Sequence, residues 1–120
     1  MVLVDTSIWV EHFRYGYDRL TELLDENRVF MHPFVIGELA CGNIRNRFEI
    51  LALLGSLPSS TVANIDEIIP FIHNNRLMGK GLGFVDVNLL ASSILTNACL
   101  WTLDKALARA AQDIGICFNS

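Results

Sequence analysis

Four carboxylates in this sequence lack the setting of ordinary surface charges. Asp5 follows the apolar run Val2-Leu3-Val4, Glu38 lies between Ile36-Gly37 and Leu39-Ala40, Asp86 sits between Phe84-Val85 and Val87, and Asp104 follows Leu103. Taken singly, Asp5, Asp86 and Asp104 read as helix N-caps, because each precedes or opens a helical pattern and a capping Asp contributes about 1 kcal/mol. Glu38 resists that account, since a carboxylate inside a helix makes no capping bond and its apolar flank offers no ion pair. As a set the four favour a site. Two carboxylates about 4 Å apart repel by roughly 4 kcal/mol at an effective dielectric near 20, so acids gathered in one place call for a cation. All-oxygen ligation suits hard divalent ions, and Mg²⁺ is held by one or two carboxylates while keeping waters that a phosphate can replace. The chemistry indicated is phosphodiester hydrolysis by a water that the ion acidifies.

Elements that would bring these acids together can be traced along the chain. Val2-Leu3-Val4 is a short strand feeding a helix that contains Ile8, Trp9, Val10 and Phe13. Leu20, Leu23 and Leu24 among charges predict a second helix ending near Asn27, and Val29-Phe30-Met31 a second strand stopped by His32-Pro33. A third helix runs from Pro33 to Cys41, closed by Gly42, and a fourth from Arg45 to Leu54, ahead of the loop Gly55–Ser60. Asp66-Glu67 opens a helix whose Pro70 falls near its first turn, and Asp86 to Leu95 form another. Cys99 to Leu103 read as a strand ending at Asp104, Lys105 to Ile114 as the last helix, and Ile116-Cys117-Phe118 as a final strand. Apolar strands alternating with helices predict a parallel sheet covered on both faces, an α/β sandwich. Ligands of such sheets collect beyond the carboxyl ends of the strands, and Asp5 and Asp104 both stand there.

The 120 residues suit one domain, spanning 1–120, and 52% hydrophobic against 18% charged residues excludes disorder over most of the length. The longest apolar run, Ile50 to Leu54, is far short of the roughly 20 residues of a membrane span. Nothing at the N-terminus reads as a secretory signal, so a cytoplasmic location is expected. Cys41, Cys99 and Cys117 show no metal spacing and are expected in the core; His12, His32 and His73 show no ligand or nucleophile pattern and are expected at the surface or as satisfied core residues. The formal charge of −4 gives no basic face for nucleic acid, but thirteen acids less these four equal the nine Lys plus Arg, so the remainder of the chain is neutral. Arg14, Arg45, Arg47, Lys80 and Lys105 flank the acidic segments and are the candidates for phosphate contact, Arg45 and Lys80 foremost.

Asp5-Thr6-Ser7, Gly37-Glu38-Leu39 with Gly42, Gly83-Phe84-Val85-Asp86 and Trp101-Thr102-Leu103-Asp104-Lys105 together resemble PIN-domain ribonucleases of the VapC toxin type. The resemblance spans nearly the whole chain. It implies a three-layer α/β/α sandwich with a mainly parallel sheet of four or five strands. It implies that Asp5, Glu38, Asp86 and Asp104 form the acidic, Mg²⁺-binding centre of an endoribonuclease, with Mn²⁺ as a substitute, and that Thr6, Ser7 and Thr102 orient ligands or water. Asp104 falls at the family's most variable acidic position, with Leu103 where many relatives carry a polar or basic residue. A homodimer is implied, as is a VapB-like antitoxin whose tail covers the acidic groove and which docks on apolar surface of the early helices.

Other readings fit less well. An aspartyl-nucleophile phosphatase needs a second acid two positions after the first, where Ser7 stands, and a phospho-receiver needs adjacent acids that Val4-Asp5-Thr6 does not supply. A catalytically inactive PIN-like module that binds RNA or protein, and a housekeeping ribonuclease that is no toxin, are the remaining alternatives.

Overall fold

The computed structural model describes residues 1–119. In chain order the elements are β1 (Val2–Val4), α1 (Thr6–Tyr15), α2 (Asp18–Asp25), β2 (Val29–Phe30), α3 (Pro33–Ala40), α4 (Arg47–Gly55), α5 (Ile65–Asn74), α6 (Phe84–Thr96), β3 (Cys99–Trp101) and α7 (Lys105–Ile114). The strands form a parallel sheet in the order β2-β1-β3, with Val2 opposite both Val29 and Cys99. Val2, Leu3 and Val4 are all buried, as parallel strands covered on both faces require. Around them Ile8, Trp9, Leu20, Leu23, Val35, Leu39, Leu89, Leu90, Leu100 and Leu107 form one apolar core.

The sheet has fewer strands than the four or five expected. Two further segments touch its edges through single parallel bridges, Met31 to Ser59 beside β2 and Leu100 to Cys117 beside β3. The anticipated strand Ile116–Phe118 is thus one bridge, held by Leu100 N–H to the Ile116 carbonyl (2.8 Å) and Phe118 N–H to the Leu100 carbonyl (2.9 Å). Its approach is set by Gly115, which ends α7 at φ 85°, a conformation glycine adopts without penalty. β3 stops at Trp101, because Thr102 turns its hydroxyl toward Asp5.

Several boundaries moved for local reasons. α4 begins at Arg47 and not Arg45, since Asn46 is left-handed (φ 54°) and interrupts helical geometry. α6 begins at Phe84, which puts Asp86 in its first turn and not at its cap. Pro70 lies in the interior of α5, where it has no N–H to give the carbonyl four residues before it. The cysteines are less buried than expected, Cys41 exposed and Cys99 and Cys117 half-buried.

His32 is a satisfied core residue. It is fully buried at the N-cap of α3, where its Nδ1 accepts the Phe34 N–H (3.0 Å). That leaves the proton on Nε2, which lies 3.1 Å from Ser92 Oγ of α6 and donates to it. Burial holds the imidazole below its ordinary pKa, consistent with the neutral ring. This bond pins α3, which carries Glu38, to α6, which carries Asp86.

Candidate functional site

Because β1 is central, the chain leaves it toward β2 through α1 and α2, whereas it leaves β3 through α7 toward the outer bridge at Cys117. Connections that part in this way open a crevice at the carboxyl ends of the two strands between them. Asp5 stands at the end of β1, and Thr102 and Asp104 just beyond the end of β3.

Asp5 occupies the N-cap position of α1 but its side chain caps nothing. It is 7% exposed, and its Oδ2 accepts the hydroxyls of Thr102 (2.6 Å) and Ser7 (2.8 Å). Those hydroxyls are themselves held: Ser7 Oγ accepts the Leu103 N–H and Thr102 Oγ1 the Asp104 N–H, both at 3.0 Å. Residues 97 apart in sequence are thereby fixed to one carboxylate, and short hydroxyl-to-carboxylate bonds are among the stronger ones available. Asp5 Oδ1 makes no side-chain hydrogen bond among the described residues.

Glu38 is exposed on α3 and accepts the Thr6 hydroxyl at 2.6 Å, so α1 supplies an orienting hydroxyl to it as well. Asp86 is half-buried and accepts the Gly83 N–H at 2.9 Å, the backbone half of a capping box. Burial raises the Asp86 pKa, the Gly83 bond opposes that rise, and the charges of Asp5, Asp104 and Glu38 add to it. One carboxyl thus feels all three of the others, and four acids scattered through the sequence share one electrostatic neighbourhood. Asp104 does cap its helix, its Oδ1 accepting the Leu107 N–H at 2.9 Å, so the single-residue reading holds for Asp104 and fails for Asp5.

The donors are hard oxygens throughout, a set suited to a hard divalent cation. Among the described residues, however, no three carboxylates are close enough to hold an ion as they stand. A cation held by more than one of them would offset the like-charge repulsion of carboxylates brought together.

The two foremost cationic candidates occupy different clefts. Arg45 lines one of about 530 Å³ with Arg14, Phe13 and Ile50, while Lys80 lines another of about 420 Å³ with Lys105 and Arg109. Arg47 is committed to the carbonyls of Ala40 (2.5 Å) and Gly42 (3.1 Å), where it closes the C-terminus of α3. The Gly83 N–H and Arg109 escaped sequence reasoning. Gly83 had a legible signal, its capping-box distance of three from Asp86, whereas nothing local marked Arg109.

The model of the PIN domain matches residues 2–113 of this chain. The chain belongs to the PIN-domain family. Within it, this PIN domain is 45% identical over 117 residues to Ribonuclease VapC32 of Mycobacterium tuberculosis, in strain CDC 1551 and in strain H37Rv alike. The aligned region takes in 97% of this chain and 94% of each relative, which places it with the VapC type. The crystal structure of PAE2754 from Pyrobaculum aerophilum aligns with a TM-score of 0.60 over 91% of this chain and 78% of that one. At 16% identity that likeness shows the fold, an α/β architecture in agreement with the sequence reading.

Proposed function

We propose that this PIN domain is a Mg²⁺-dependent endoribonuclease and the toxin of a toxin–antitoxin pair. The observation that supports the reading is a shared neighbourhood of acids: hydroxyls of Ser7 and Thr102 bond Asp5, that of Thr6 bonds Glu38, and the pKa of Asp86 is raised by burial and then by the charges of Asp5, Asp104 and Glu38. Kinship with proteins named ribonucleases supports the choice of RNA. Mg²⁺, or Mn²⁺ in its place, supplies when bound an acidified water and neutralisation of the charge that builds on phosphate. Asp5, Asp86 and Glu38 are its proposed holders, with Asp104 assisting through the oxygen its cap leaves free. Thr102 and Ser7 fix the Asp5 carboxylate, and Thr6 holds Glu38 through its hydroxyl. RNA phosphates meet Lys80 and Arg45 in the flanking clefts.

The partners follow the same reading. An apolar groove of about 380 Å³ between α1, α2 and α4, lined by Trp9, His12, Phe13, Leu24, Leu53 and Leu57, fits the apolar helix of a VapB-like antitoxin. Phe71, Ile94 and Leu95 present an apolar hollow of α5 and α6 suited to a homodimer. No helix among the described residues is long and apolar enough to cross a membrane, and the proposed setting is the cytoplasm.

The test is cleavage of RNA by the purified protein. Cutting with Mg²⁺ or Mn²⁺, its loss in EDTA and its loss in Asp5→Asn and Asp86→Asn are expected; cutting that survives EDTA refutes the mechanism. The spread of the acids favours one competitor, a PIN-like module that binds RNA without cutting it, which would bind but never cut in either metal. Growth arrest on expression, relieved by a small neighbouring-encoded protein, separates a toxin from a housekeeping ribonuclease, and sequencing RNA 5′ ends after brief induction identifies the target.

A further inference from the structure

Beside the acidic crevice runs the cleft of about 420 Å³ lined by Lys80, Lys105, Arg109 and Asp113, with Ala106 and Ala110 as its floor. Lys105 directly follows Asp104, and Arg109 lies one turn further along the same face of α7. Lys80 comes from the loop that ends at Gly83, the residue whose N–H holds Asp86. That loop is seated against α7: Gly81 adopts φ +75°, and a Cβ there would meet the Ala106 side chain at 3.8 Å. The cleft is therefore bounded by the two segments that carry Asp86 and Asp104.

Its charge is unspent. The ion pairs among the described residues are Arg19–Glu22 and Arg28–Glu26, so Lys80, Lys105 and Arg109 pair with no acid, Asp113 included. In a chain of net charge −4, three of nine Lys and Arg facing one hollow beside four acids is a marked local excess. Like-charge repulsion makes such a cluster costly unless an anion is drawn to it. Asp113, one turn beyond Arg109, puts a negative charge at the far end.

We propose that this cleft is a subsite for the phosphate backbone of single-stranded RNA on the α7 side of the cut, with Lys80, Lys105 and Arg109 as the phosphate contacts and Asp113 marking its end. The choice of RNA as ligand rests on the ribonuclease reading. A guanidinium and two ammonium groups recognise phosphate oxygens without reading bases, so the subsite sets affinity and register but not sequence.

The experiment measures binding of a labelled single-stranded RNA of about twelve nucleotides in EDTA, in an Asp86→Asn background, across a salt series. Its outcome is thus independent of whether the protein cuts. Each phosphate contact on a single strand contributes about 0.7 to the slope of log K against log salt. Lys105→Gln with Arg109→Gln is expected to lower that slope by about 1.4. Arg109→Lys should retain the slope, and Asp113→Asn should tighten binding at every salt concentration. All four side chains are exposed, so thermal unfolding should be unchanged. An unchanged slope in the double variant overturns the proposal. So does capture of a poly-glutamate peptide that depends on Lys105 and Arg109 while RNA binding does not, which would assign the cleft to an acidic protein segment. A lowered slope in a protein that never cuts RNA would sink the ribonuclease reading and leave the RNA subsite standing.

Discussion

The Asp5 cradle gives a quantitative test of preorganisation. Thr102→Val keeps the side-chain shape and removes one of two hydroxyls at Oδ2; Ser7→Ala removes the other. A hydrogen bond to a charged group contributes about 1.5–3 kcal/mol, and because both hydroxyls are only part-buried the lower value applies, about 1.5 kcal/mol for each single variant. The Leu103 and Asp104 N–H groups they release are at exposed residues and find water. The double variant leaves a carboxylate at a residue 7% exposed with no side-chain donor, so its cost should exceed the sum by about 1 kcal/mol, giving a total of about 4 kcal/mol. For a domain of this size that is a Tm lower by about 16 °C, against about 6 °C for either single change. Urea unfolding followed by the fluorescence of Trp9 and Trp101, both buried, reads the midpoints. In an Asp5→Asn background Thr102→Val should cost only about 0.5–1 kcal/mol, the contribution of a neutral hydrogen bond. Single effects below 0.5 kcal/mol, or a strictly additive double variant, would mean that water serves Asp5 and that the hydroxyls hold nothing in place.

Three further outcomes follow from the same geometry. Asp86→Asn should raise stability at neutral pH while abolishing RNA cleavage: with its pKa raised by burial and by three neighbouring acids, ionising Asp86 costs folding free energy as pH climbs through that pKa, and Asn keeps the Gly83 bond without the charge, so the rise in Tm of the variant over the parent should be larger at pH 7.5 than at pH 4. The pKa values of His32 and His12 are both lowered by burial, so the stability they contribute is complete above about pH 6.5 and is lost as pH falls through their folded values; urea midpoints from pH 7.5 to 5 should decline, less steeply in His32→Gln. Millimolar Mn²⁺ should raise the Tm of the parent and not of Asp5→Asn, and an equal rise in both would remove Asp5 from the ion's holders.

What could be seen in the sequence was whatever a local pattern encodes. Asp5 and Asp104 were legible because each follows an apolar run that cannot continue past a charge, and Glu38 because its helical position excluded capping. The three hydroxyl residues were named, although their bonding was not, since it depends on β1 lying beside β3 for Ser7 and Thr102 and on α1 lying beside α3 for Thr6. Asp5 shows the limit most plainly: its sequence context is that of an N-cap, yet the hydroxyls of Thr102 and Ser7 engage its side chain instead. The sheet was overcounted because parallel pairing at Ser59 and Cys117 is set by how two loops settle on an edge, which no periodicity records. Cys41 looked apolar from its neighbours, yet the end of α3 turns outward there. The cationic cleft joins a loop to a helix across two segments, and spacing within either one says nothing of the other.

Val2 aligns with Cys99, and the Asp5 carboxylate takes its shortest hydrogen bond from Thr102. During synthesis the strand Val2–Val4 must therefore wait for Cys99–Trp101 to be made before its second neighbour exists, an interval of about 5–20 s at ordinary elongation rates. Until then Asp5 lacks Thr102, Asp104 has not emerged, and the acidic crevice has only one wall. Order of synthesis thus makes the acidic crevice a late feature of folding, assembled only when partners 97 positions apart have both been made.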